Sequence, residues 1–200
     1  MGFVLLAIIK FIAAVLLSPV VFASCFKFYH HLSAYPGSFE EYFLWGALAF
    51  LLTFLFLYKY FVLYDFSQKI SLGLFKILTP FDRFFSHLFP VYFFLTLIAF
   101  AVTNKFFDVH DSDPYFMFFL GFFLVFHVIL VAQEMQEEEK SVLKPSYLLS
   151  MSMILIVVIS IGVISFDLVF EKMTFKDYFD SVFKMSKETY IGVFDKMAYR

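Results

Sequence analysis

The sequence predicts an all-α integral membrane protein: a helical bundle of about five transmembrane helices accompanied by amphipathic helices. Three observations predict it. Of 200 residues, 62% are hydrophobic and only 16% charged, against about 25% charge in an ordinary soluble domain. Phenylalanine alone contributes 34 residues. The apolar residues gather into runs that meet or approach the ~20 residues needed to cross a bilayer as a helix. Such a chain has too little polar surface to cover itself in water, so lipid must be part of its solvent.

The first run is 3–25. Its segment "VLLAIIKFIAAVLLSPVVFASC" has some features of a secretory leader, and "FASC" faintly resembles a lipoprotein cleavage box. No basic residue precedes the run and Lys10 interrupts it, so a membrane helix is expected instead. "MGFVLL" also lacks the Ser or Thr of a myristoylation signal. The second run is 42–63, with Lys59 near its end. The third, 88–103, is short unless it begins near Phe84. The fourth is 115–133, ending at Gln133, and the fifth is 147–170. Together these make residues 1–170 the transmembrane domain.

The connections differ in kind. Residues 27–41 have turn chemistry at Pro36-Gly37, 104–114 form an acidic loop, and 134–146 are a charged excursion. Pro145 is placed to open the next helix. In 64–87, Phe66, Ile70, Leu74 and Leu78 recur at about helical spacing among Lys69, Lys76, Asp82 and Arg83. That pattern predicts an amphipathic or re-entrant helix. The tail, 171–200, has apolar residues at i, i+3 and i+4, with Lys176, Asp180, Lys184 and Glu188 on another face. It is expected to lie on the membrane in preference to docking a partner, because such a helix satisfies its apolar face unaided.

Five spans place the termini on opposite sides. Six cations then fall on one side (Lys59, Lys69, Lys76, Arg83, Lys140, Lys144) and six on the other (Lys27, Lys105, Lys172, Lys176, Lys184, Lys187). The positive-inside rule therefore sets no orientation. A net charge of −2 offers no basic face, which argues against a nucleic-acid partner. The expected partners are the lipid bilayer and other membrane protein subunits. The lone Cys25 allows no internal disulfide.

Ionisable groups near a membrane are candidates for function. Asp65, Gln68, Lys69, His87 and His127 all approach one side of the predicted bundle and are expected to converge in one pocket. His127 lies six residues before Gln133, about 9 Å below the boundary. One alternative is a small haem-b electron-transfer subunit with His87 and His127 as axial ligands, although both are crowded by Phe and Leu. Another is an atypical membrane metallohydrolase holding a metal through His87, His127 and Asp65. No CxxC, HxxxH or HExxH pattern supports zinc. His30 and His31 are adjacent, so they point to different faces or sit in a loop. His110 beside Asp108, Asp111 and Asp113 reads as a solvated acidic loop before a cation site. No GxSxG turn occurs and Cys25 has no basic partner in sequence. The favoured expectation has no cofactor, no metal and no catalytic residue.

Residues 64–75, "YDFSQKISLGLF", resemble a motif like "YVFGHELTHALF". That motif belongs to bacterial membrane proteins related to the site-2-protease family of zinc metallopeptidases. Tyr64, Phe66, Leu74 and Phe75 fit it. "LFPVYFFLTL" (88–97) is similar to the group's Pro-Tyr helix start. "GFFLVFHVILVAQEMQ" followed by "YLLSMSMILIVV" is similar to its later pair of helices. The match covers about 42–165, with a shorter interval between Gly73 and Pro90 than the group's pattern. It implies a multi-pass protein of a bacterial inner membrane. The two zinc-binding His positions hold Gln68 and Leu72, and the catalytic Glu position holds Lys69. HExxH works because His at i and i+4 face one metal while Glu activates its water. The resemblance therefore implies a non-catalytic relative, a pseudoenzyme serving as membrane-complex subunit or scaffold. Asp65 and Lys69, four residues apart, are expected to form an ion pair that fastens the end of the second helix.

Overall fold

The computed structural model describes residues 2–35, 38–56, 61–78, 82–107, 113–139, 144–170, 172 and 174–198. Among them every regular element is helical. The helices are α1 (Gly2–Leu32), α2 (Phe39–Phe56), α3 (Phe61–Phe75), α4 (Asp82–Leu88), α5 (Val91–Phe107), α6 (Asp113–Glu138), α7 (Pro145–Phe170) and α8 (Phe175–Ala198), with a 3-10 turn at Lys76–Leu78. Four are long and apolar enough to cross a membrane: Val4–Leu32, Phe39–Phe56, Asp113–Glu137 and Pro145–Phe170. Only 6% of the most apolar window of α1 is buried, so nearly all of it needs lipid. The protein is a membrane-embedded helical bundle.

Several boundaries differ from the sequence expectation. α1 runs past residue 25, through His30 and His31, to Leu32. Within the run 42–63, α2 is described to Phe56 and α3 from Phe61, and residues 57–60 lie outside the described residues. α6 continues to Glu138, so the charged excursion is helical in its first part. Lys59, the Pro36-Gly37 turn, and His110 with Asp108 and Asp111 lie outside the described residues.

The chain forms two compact units, residues 1–32 with 135–200, and residues 33–134. In the first, Lys10 Nζ donates to Ser146 Oγ at 2.9 Å, and His31 Nε2 meets Asp167 Oδ1 at 3.1 Å. Both pairs are separated by 136 residues. α1 and α7 therefore run parallel in one register. Lys10, which breaks the apolar run, thus has a partner. Glu139 caps α7, accepting from Ser146 N at 3.3 Å and Tyr147 N at 2.5 Å, where an anion suits a helix start.

α8 returns antiparallel along α1. The Tyr178 hydroxyl donates to the Ser24 carbonyl at 3.3 Å, and the Tyr190 hydroxyl to that of Leu16. Tyr178, Val182 and Ser186, four residues apart, form its buried stripe. The tail thus packs on α1 through this stripe and leaves Phe179, Phe183 and Phe194 exposed. Sequence periodicity shows that an apolar stripe exists but not what covers it.

In the second unit α2 and α6 meet at glycines. Gly46 lies against the Phe118 carbonyl and Gly121 against that of Phe43. Four residues past Gly46, Phe50 packs edge-on to Phe122 and Phe126 at 5.3 and 5.5 Å. The contact advances along both helices together, so they run parallel. Parallel helices need a return between them, which α5 supplies. It is apolar and 17 residues long, at the short end of what spans a bilayer.

α3 has its polar row inside. Tyr64, Ser67 and Ser71 are buried, while Leu63, Phe66 and Leu74 are exposed, and Ile77 in the turn beyond is 92% exposed. The apolar row read from sequence is therefore the outer face. The inversion is what an apolar surrounding favours, because the polar groups must then find partners inside the protein.

Candidate functional site

The buried row of α3 begins the polar site. Tyr64 and Gln68 are one helical turn apart, so their side chains meet. Gln68 Nε2 donates to the Tyr64 hydroxyl at 2.7 Å. That hydroxyl donates to Glu134 Oε2 at 2.6 Å. The same oxygen accepts from His87 Nε2 at 3.2 Å. His127, two turns before Glu134 on α6 and buried, places Nε2 2.9 Å from the His87 carbonyl oxygen. A carbonyl can only accept, so Nε2 of His127 carries the proton. The His87 carbonyl is one of those that the end of the short α4 leaves without a helical partner, and His127 satisfies it.

The result is a hydrogen-bonded hub joining α3, α4 and α6. Burial, followed by the bond to Glu134, holds the Tyr64 phenol well above the ordinary tyrosine range. Its hydroxyl therefore stays a donor. The Glu134 side chain is 35% exposed against 7% for His87, so the carboxylate is the edge of the hub that meets its surroundings. Tyr92 adds an outer tie, donating to the Leu63 carbonyl at 2.8 Å.

Of the five residues singled out from sequence, Gln68, His87 and His127 are brought together. Asp65 and Lys69 are not. Both are exposed on the outer side of α3, and the expected ion pair between them does not form among the described residues. Orientation keeps both out of the hub: the row through Tyr64 and Gln68 turns inward, which turns the row through Asp65 and Lys69 outward. Among the described residues no three His, Cys, Asp or Glu side chains gather as a metal site. The set His87, His127 and Asp65 is thus not assembled. Nε2 of His87 and of His127 is engaged by protein, which leaves only Nδ1 of each for the axial ligation that the haem reading needs. Sequence reasoning missed two members, Tyr64 and Glu134. The available signals were the i, i+4 spacing of Tyr64 to Gln68 and the i, i+7 spacing of His127 to Glu134.

A second polar cluster lies in the first unit. Asp167, a carboxylate in an apolar span, accepts from His31 and from Thr174 Oγ1 at 3.0 Å. Its backbone carbonyl accepts from Lys172 N at 3.2 Å. The His31 ring stands edge-on to Tyr178 at 5.9 Å. Asp167 thus shapes the elbow between α7 and α8. His30 is exposed, so the two adjacent histidines do take different faces. The missed signal was a single carboxylate inside an apolar run, which needs a partner.

Fold and site together define a helical, membrane-embedded protein with two hydrogen-bonded polar clusters, one in each unit. The chain matches no family model, no curated protein and no solved structure.

Proposed function

We propose that this chain is a non-catalytic multi-pass protein of the bacterial inner membrane, a pseudo-peptidase-like subunit or scaffold of a larger assembly. The observation that supports this reading is the hub. α3 is the helix that resembles the site-2-protease motif. Where that motif has its first metal ligand stands Gln68, whose amide is spent on Tyr64. Where it has the general base stands Lys69, exposed on the outer face. Leu72, at the second ligand position, is exposed too. In this chain the helix performs cohesion: Tyr64, Glu134, His87 and His127 lock three helices together. The locked wall presents Leu63, Phe66 and Leu74 outward, a surface suited to lipid or to another subunit's spans.

The test is isolation of the full chain in mild detergent after gentle cross-linking. Membrane proteins should accompany it at fixed ratio. Recovery of the chain alone from every preparation would sink the subunit reading. The non-catalytic half has its own test: a peptide-hydrolysis activity that Gln68→Ala abolishes while the fold persists would overturn it.

A further inference from the structure

We propose that Glu40, Asn104 and Asp113 bind a hard divalent cation, of the magnesium or calcium class, at one end of the second unit. Two observations carry it. Glu40 Oε2 and Asn104 Oδ1 are buried and accept no hydrogen bond among the described residues. A buried oxygen in that state is costly unless something electropositive meets it. The second observation is that three helices bring these residues to one level.

The level follows from ring and backbone contacts. Tyr92 of α5 meets Phe123 of α6 at 5.4 Å, and Phe100 meets Phe116 at 5.3 Å. α5 and α6 therefore run antiparallel. Asn104 lies one turn beyond Phe100, and Asp113 three residues before Phe116, so the two stand level across the pair. α2 runs parallel to α6, with Gly46 against the Phe118 carbonyl. Glu40 is six residues before Gly46 and Asp113 five before Phe118, which sets them about 1.5 Å apart in height. The faces agree with the levels on α5 and α6. Asn104 continues the buried row of Phe93, Leu97 and Phe100, and Asp113 opens the buried row of Met117 and Leu120.

The chemistry is that of a hard cation. Every donor is an oxygen, two from carboxylates and one from an amide, the kind of set that magnesium and calcium take while water completes the shell. With two carboxylates and an amide, it is not a gathering of three His, Cys, Asp or Glu side chains, of which there is none among the described residues. The last carbonyls of α5 add negative partial charge at the same end. Lys105 of that turn is exposed, off the buried row. Acidic residues near the starts of α2 and α6 suit those helix ends by charge alone. That account leaves unexplained the Asn104 oxygen, which shares their level without a donor. Exposed Tyr42, Trp45 and Tyr115 lie at this end of the unit, as aromatic residues do at headgroup depth, where water and dissolved cations reach a protein.

The test uses the full chain in a nonionic detergent, so that no lipid phosphate binds the probe. After treatment with a chelator, equilibrium dialysis against radioactive calcium should find one ion per chain. Excess magnesium should displace it, and sodium at equal ionic strength should not. Asn104→Leu, which removes the amide oxygen, and Glu40→Gln, which removes one charge, should each weaken binding about tenfold or more. Asn104→Asp, which adds a carboxylate at the same place, should tighten binding and serves if the leucine variant does not fold. Glu41→Gln, at the exposed neighbouring position, should leave it unchanged. Thermal unfolding followed by circular dichroism should show calcium raising the midpoint of the native chain and not that of Glu40→Gln. No bound ion on the native chain, or unchanged affinity in the folded Asn104 and Glu40 variants, overturns the site. An equal loss in Glu41→Gln would mean that surface charge attracts the ion, and the proposal would be wrong.

Discussion

The two units hold parallel helices together in different ways. In residues 33–134, α2 and α6 approach until only glycine fits. A Cβ on Gly46 would lie 1.8 Å from the Phe118 carbonyl oxygen, and one on Gly121 2.0 Å from that of Phe43. In the unit of α1, α7 and α8, a Cβ on Gly162 would meet nothing nearer than the Phe28 ring at 3.7 Å. There, polar ties set the register: Lys10 to Ser146 near one end and His31 to Asp167 near the other. Lipid tails are as apolar as leucine, so no hydrophobic force draws membrane helices together. Close backbone contact or polar bonding must do it. The second unit uses both, and the first relies on the polar kind.

The largest expected effect tests the glycine crossing. Gly121→Leu must force α2 and α6 apart, costing about 3 kcal/mol or more by overpacking. Unfolding in detergent, followed by circular dichroism, measures it. A loss under about 0.5 kcal/mol would erase the distinction between the units, since that is the usual range for harmless substitutions.

Next comes the tie in the first unit. Asp167→Ala removes the acceptor for His31 and Thr174 and should cost about 2–4 kcal/mol, because breaking a buried pair strands its partner. Combining it with His31→Ala should cost less than the two single losses added. Full additivity would mean that the pair does not hold α1 to α7.

The hub of the second unit should show a smaller loss. Tyr64→Phe removes a donor and leaves Glu134 and Gln68 short of one partner, for about 1–2 kcal/mol. A variant as stable as the parent would mean that α3 is held by apolar contact alone.

Alkali sharpens the comparison further. Burial pushes the Tyr178 phenol up to about 12, against an unfolded value near 10. A raised folded value favours the protonated form. Its contribution is therefore complete below about pH 10 and is lost as pH rises through about 12. Spectrophotometric titration should show α8 losing protection across that window, and Tyr178→Phe should remove the dependence.

The smallest effects are expected at Gly162→Ala, where a methyl group meets ordinary contact distance, and at Lys69→Ala, where an exposed side chain leaves no ion pair behind. Each should stay within about 0.5 kcal/mol. A loss near 2 kcal/mol for Lys69→Ala would point to a partner that this chain alone does not supply.

Sequence by itself determined the solvent and the element type. A chain with 62% hydrophobic and 16% charged residues must live in lipid, and only helices or closed barrels satisfy their backbone there. Long apolar runs then gave helices. It also named Gln68, His87 and His127, because an ionisable or amide group in such a run is visible without coordinates. What tertiary structure decided was which way each face turns and which distant residues meet. Periodicity marks an apolar row on α3, but lipid outside and polar partners inside turned that row outward and carried Asp65 and Lys69 with it. The pairing of Tyr64 with Glu134 spans 70 residues and that of His31 with Asp167 spans 136. Hydropathy carries no information about such distances, because it records how much a residue prefers lipid and not which neighbour satisfies it.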